Sequence, residues 1–314
     1  NNNLPPFDIS IEQYDNSSGT PFGDIEGVFC SGVDDVPHDA LSAYELAMAT
    51  TKINELNAKG FEDNGLYDKY KKQIDAAIRG MNQNDPQYEN KKLFATITAS
   101  LKDIVSQCKS NLNEEDYNKL VSNVARQLAE TTQGKVGYAT HGSGHFSAND
   151  FLAPTTTACA TFVGIVQYIM GNTQPGLYNC WQGTWGYNFP EGFVSQSKEI
   201  GTTFLAHNQD IFQQPGIVTN EINDIVRNPD KYLDVLKSWE GKAVFWDYYN
   251  TYQTTSNHTC YFHTLILGPY DPATKSFTIY ESNSGGGVNG ITVSKLTLTA
   301  LEAAAHIKIA SFRQ

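Results

Sequence analysis

The stretch APTTTACATFVGIVQYIMGN, residues 153–172, decides how the rest of the chain is read. Pro154 and three threonines lead into an apolar helix, and Cys159 falls in its first turn. Proline suits the approach to a helix, and Thr155, Thr156 or Thr157 can cap it. The first N–H groups of a helix have no intrahelical acceptor. A thiol among them sits in a partial positive field that favours thiolate. The same N–H groups can hold a developing oxyanion. Phe162, Val163, Val166, Ile169 and Met170 form one stripe at helical spacing, and Cys159 extends it by a turn. A core cysteine would look the same, so the decision passes to the residues that would have to serve a nucleophile. Those are a base and a group that orients the base.

The chain has seven histidines. His38 begins a helix far upstream. His141 and His145 lie in the loop THGSGHF, with no further ligand spaced to complete a metal site. His207 falls at a helix end, His258 beside a turn, and His306 at the start of the last strand. His263 differs, because it sits mid-strand in TCYFHTLILG. Tyr261, Leu265 and Leu267 share its face, while Cys260, Phe262 and Ile266 line the other. Apolar residues on both faces mark a central strand, and an imidazole there needs a partner.

The next strand, KSFTIYESNSGG, supplies one. It puts Phe277, Ile279, Glu281 and Asn283 on one face, after a turn at GPYDPATK. Pairing Gly268 with Ser276 sets His263 opposite Glu281; a slip of two residues brings Asn283 there instead. Either side chain can hold the second ring nitrogen.

A nucleophile at a helix start, a base in a central strand and an orienter in the following strand resemble the papain-like cysteine peptidases. The likeness is to the bacterial branch of secreted effector proteases and bacteriocin-processing peptidases. The matching segments are TACATFVGIV, FHTLILGPYDPATKSFTIY and ESNSGG. Glu281 stands where that family has Asp, Ser282 where it has Pro, and Asn283 keeps the Asn. The family's Gln or Asn oxyanion donor has no direct match, since position 153 is Ala; Asn149 is the nearest candidate.

The resemblance spans residues 136–314 and implies an α+β fold with an antiparallel sheet packed on the Cys-bearing helix. It implies a Cys159–His263–Glu281 or Asn283 triad, no cofactor or metal, and a protein or peptide substrate cut at a peptide or isopeptide bond. Thr157, Trp181 and Trp185 are further candidates for the oxyanion or substrate groove. Glutamine deamidation, transglutamination and peptidoglycan amide cleavage use the same acyl-thioester. A non-catalytic binding module is the reading from a different class. Secretion, with delivery into a host cell, follows from the family; a cytoplasmic location comes second.

Ahead of that region the texture is helical. Residues 1–36 are a loop-rich lead-in, and 37–134 form a helical module of four helices. These run through HDALSAYELAMATTKINELNAKG, NGLYDKYKKQIDAAIRG, the stretch beginning DPQYENKK, and NEEDYNKLVSNVARQLAETTQG with Asn113 as its cap. Residues 135–314 carry the catalytic domain. Cys108, inside the third helix without a nearby His or acid, reads as core. The five cysteines form no C-x-x-C pair, so neither a disulfide framework nor a zinc ribbon is expected. A net charge of −12 without a Lys/Arg cluster speaks against nucleic acid. No apolar run is long enough to span a membrane, and NNNLPPFDIS lacks the layout of a signal peptide.

Overall fold

A computed structural model describes residues 37–58, 61, 65–108, 111–138, 153–171, 217–247, 263–285, 287–304 and 306–313. These build a mixed helix-and-sheet, α+β architecture. None of the helices among them is long and apolar enough to cross a membrane.

Helix α1 (His38–Ala58) turns Ala49, Ile53 and Leu56 inward, as its spacing predicts. The segment expected as one second helix is two short ones, α2 (Leu66–Lys69) and α3 (Lys71–Ala77). Tyr70 breaks the run with φ −107°, and its hydroxyl donates to Asp103 Oδ2 at 2.6 Å. Burying that ring while anchoring its hydroxyl on the next helix outweighs one more turn of regular backbone. Helix α4 (Tyr88–Cys108) follows, with Cys108 buried as core. In α5 (Glu114–Thr132) the Asn113 side chain accepts from Asp116 N at 2.9 Å, which satisfies a first-turn donor.

Two short strands, β1 (Gly137–Tyr138) and β2 (Thr156–Thr157), pair in parallel ahead of α6 (Cys159–Ile169). Strand β3 (Ile217–Val218) and helices α7 (Thr219–Arg227) and α8 (Leu233–Ser238) precede the main strands. These are β4 (Ala243–Asp247), β5 (His263–Asp271), β6 (Ser276–Asn283), β7 (Gly290–Thr297) and β8 (His306–Ala310), with α9 (Leu298–Glu302) between the last two. The described sheet runs β3-β8-β4-β5-β6-β7 and is antiparallel throughout. Strand β3 carries too few residues to show a two-residue alternation in sequence.

The sheet is covered on both faces. On one, Ala243, Phe245, Ile266, Tyr280 and Ile291 join a core built from α1, α4, α5 and α6. On the other, Val244, Leu265, Leu267, Ile279 and Ile307 meet α7, α8 and α9. The first core is continuous across position 134, so the leading helices pack directly on the sheet and on α6. Contact is closest at Gly241, where φ is +80° and an added Cβ would lie 1.7 Å from Asn118 O on α5. Helix α6 is buried nearly all round rather than along one stripe. Phe162, Val163, Ile165, Val166, Ile169 and Met170 are fully buried, and Thr161 and Gln167 nearly so. A helix with no wet face is an interior element, here held between the sheet and the helical layer.

Lys308 on β8 pairs with Phe245 in the sheet register and is buried. Burial alone pulls its amine down to about 8, and among the described residues no carboxylate offsets it. The folded pKa therefore lies below the unfolded one. The penalty is full below pH 8 and fades as pH climbs toward the unfolded value. Lys308→Met is expected to stabilise the fold at pH 7 by about 1–2 kcal/mol, a rise of a few degrees in Tm. Melting curves at pH 7 and pH 10 check this, the gain shrinking at the higher pH.

Candidate active site

Helix α6 begins differently from its sequence reading. Thr156 and Thr157 are extended and form β2, and the N-cap is Ala158, with φ −87° and ψ 170° and no side-chain cap bond. Thr157 was a candidate for the oxyanion or substrate groove, but its side chain is fully buried. Its hydroxyl donates to Ser282 Oγ at 2.8 Å, and Ser282 Oγ donates to Thr157 O at 2.8 Å. That side chain ties β2 to β6 and does not face a substrate. The threonines serve as strand because β1 lies alongside, with Gly137 level with Thr156 and Tyr138 level with Thr157.

Sheet register explains how the acid reaches the ring. The expected pairing of Gly268 with Ser276 does not occur. Asp271 pairs with Ser276 and Tyr270 with Phe277, and an irregularity between Leu267 and Tyr270 then shifts the ladder to Leu267–Ile279 and Ile266–Tyr280. Continued along the strands, this register sets His263 across from Asn283, not Glu281. Glu281 still meets the ring, because a diagonal neighbour lies within reach of a long side chain. His263 Nε2 and Glu281 Oε2 are 2.6 Å apart, and both side chains are buried. Asn283 Nδ2 donates to Glu281 Oε1 at 3.4 Å and Ser294 Oγ donates to the same oxygen at 3.3 Å. Of the two candidates the structure gives the ring to Glu281, while Asn283 steadies the carboxylate.

Cys159 lies against the same ring. The Cys159 side chain is hydrogen-bonded to His263. Cys159 is half-buried at the first position of α6. His263 begins β5 and Glu281 stands near the end of β6, so the three gather at one end of the sheet.

The electrostatics follow from this enclosure. Burial by itself pushes the imidazole down, since a charged ring loses water. The hydrogen bonds to Cys159 and Glu281, and the charges of both, outweigh it and raise the ring to about 10. Both partners thus favour the charged form of the ring. Cys108 shows the opposite setting: burial pushes its thiol up to about 11, with Glu45 adding to the rise.

Tyr138 is a neighbour that the sequence reading missed. Burial raises its hydroxyl to about 12, and the charge of Cys159 adds to the shift. Its backbone N–H donates to Asn289 Oδ1 at 3.2 Å, which fixes β1 beside β7. A two-residue strand gave no signal of that placement. Asn149, Trp181 and Trp185 lie outside the described residues. Among the described residues no cluster of three or more His, Cys, Asp or Glu is placed to hold a metal ion.

A thiol at a helix start, hydrogen-bonded to a charged imidazole that is itself held by a buried carboxylate, can attack a carbonyl and return a proton to a leaving group. Compared with family models, curated proteins and solved structures, the chain finds no match in any of the three, so the geometry of Cys159, His263 and Glu281 is what bears on function.

Proposed function

We propose that the chain is a papain-like thiol acyl hydrolase acting on a polypeptide, with Cys159 as nucleophile, His263 as acid and base, and Glu281 as orienter. The observation that carries this is the unbroken line of hydrogen bonds from Cys159 through the His263 ring to Glu281. The thiolate attacks the amide carbon and a C–S bond forms. As the C–N bond breaks, the imidazolium gives its proton to the departing amine. The neutral ring then takes a proton from water, whose oxygen displaces the sulfur and releases the acid. Amides at the start of α6 face the oxyanion in this scheme. Secretion and action on host proteins belong to the same proposal, through the likeness to bacterial effector proteases.

Thiol reactivity tests the reading. Iodoacetamide at pH 6 is expected to modify Cys159 at least about 100-fold faster than Cys108, because only thiolate reacts and burial holds Cys108 as thiol. Mass spectrometry after short exposure locates the adduct, and Cys159→Ala removes it. Equal rates at the two thiols would end the enzyme proposal and leave a binding module. Given a privileged Cys159, incubation with peptide and with cell-wall fragments separates protease from amidase. A gain of about 1 Da at glutamine would mark deamidation.

A further inference from the structure

Ser282 occupies the position where the resembling family carries proline, and nothing in the proposed chemistry uses it. It is fully buried between Glu281 and Asn283 on β6. Its hydroxyl accepts from Thr157 Oγ1 and donates to Thr157 O, both at 2.8 Å. Thr157 lies two residues ahead of Cys159. Along a strand, successive side chains leave on opposite sides. Strand β6 therefore offers its acid to His263 through residue 281 and holds the approach to the nucleophile helix through residue 282.

We propose that Ser282 is a positioning residue: its two hydrogen bonds to Thr157 fix the Cys159 sulfur at the distance from the His263 ring that sustains the thiolate–imidazolium pair. This rests on the thiol-hydrolase reading and deepens it. The contacts close a ring from His263 to Glu281, along the backbone to Ser282, across to Thr157, and through Ala158 to Cys159, which hydrogen-bonds His263 again. Other contacts hold the fold nearby. Strand β1 pairs with β2, and the fully buried apolar side chains of α6 seat the helix. Loss of the clamp thus lets the start of α6 drift without unseating its body.

A merely structural role is the alternative, in which two buried hydroxyls satisfy each other. Removing both hydroxyls breaks both bonds and leaves only the Thr157 carbonyl without its donor, and the pH profile of Cys159 then separates the two roles. The double variant Thr157→Val, Ser282→Ala is compared with wild type and with Thr157→Ser, which keeps both bonds. Each is read by its melting temperature and by the pH profile of Cys159 alkylation with iodoacetamide, Cys108 serving as internal reference. Should the double variant not fold, Thr157→Val alone, which breaks one of the two bonds, is read the same way.

The double variant is expected to lose at least about tenfold in alkylation rate at pH 6, its acid limb moving up toward the ordinary thiol range of about 8.5. Thr157→Ser is expected to follow wild type. A double variant with the wild-type pH profile, whether or not its melting temperature falls, overturns the positioning role. If wild-type Cys159 shows no advantage over Cys108, the proposed function falls and this inference with it. If wild type is privileged and the variant equally so, only this inference falls.

Discussion

Glu281→Gln is expected to slow labelling of Cys159 by a peptide-based electrophile at pH 6 by about 100-fold. Glutamine keeps the shape and can still accept a hydrogen bond from the ring. What it removes is the negative charge, and the charge matters because the ring is buried. Burial alone drives the imidazole down, and only Cys159 and Glu281 raise it to about 10. With Glu281 neutralised, the imidazolium loses one of its two anionic partners and its pKa falls. The thiolate then loses its own counter-charge, and each unit by which its pKa rises costs about tenfold in thiolate at low pH. The alkaline side carries a second signature. Steps that need the protonated ring fade in wild type as pH rises through about 10 and should fade nearer neutrality in the variant. Stability obeys the same sign. The raised pKa of His263 lends stability that is complete below the unfolded value of about 6.5 and is lost as pH rises through about 10. Glu281→Gln should therefore melt earlier than wild type at pH 6 and draw level above pH 10. A variant labelled at the wild-type rate, with both limbs in place, would show that Glu281 is an ordinary buried acid.

Much of this site was legible before any coordinates. Cys159 is marked by its place after Pro154 and the threonines, His263 by being an imidazole in an apolar strand, and Glu281 by its parity with Ile279. The register that joins them is not legible in the sequence. A straight ladder from the turn sets Glu281 opposite His263. Strand β5 instead runs on to Asp271, and the irregularity between Leu267 and Tyr270 shifts the ladder by one, so His263 falls across from Asn283 and the acid is regained because a glutamate reaches its diagonal neighbour. Gly268 marks that irregularity, since a Cβ there would lie 2.9 Å from the Tyr280 ring. An isolated glycine in a strand pattern is a bulge signal in principle, but at the edge of GPYDPATK it reads as part of the turn. The threonine run was misread for a related reason. Hydroxyl residues before a helix are good caps by local rules, and only the long-range contacts to β1 and Ser282 make them strand. Helices α1, α4 and α5 were easier, because their apolar spacing and the Asn113 cap are local properties.

Gly290→Ala is expected to cost about 3 kcal/mol or more and to carry Cys159 labelling down with it, although residue 290 is not one of the three site residues. Gly290 has φ +116°, a conformation that only glycine adopts without strain. A Cβ there would lie 1.9 Å from Val136 O and 2.8 Å from Gly137 C, both backbone atoms that no rotamer change can move. It sits level with Asn283 at the head of β7, where Ile291 N donates to Val136 O at 3.2 Å. Strand β1 is thereby laid against β7, β2 against β1, and Cys159 follows β2 by two residues. Relieving the clash means lifting β1, which breaks the Ile291–Val136 bond and releases one side of the support beneath Cys159. Gly287→Ala separates this from a general intolerance of alanine: φ there is +85°, but an added Cβ meets nothing within 4 Å. That control is expected to cost about 1 kcal/mol of backbone strain and to leave labelling at the wild-type rate. Chemical denaturation of the two variants beside wild type, with alkylation of Cys159 measured in the same samples, decides the matter. If Gly290→Ala tracks Gly287→Ala in both stability and labelling, then β1 does not support Cys159, whose placement depends on α6 and the Ser282 clamp alone.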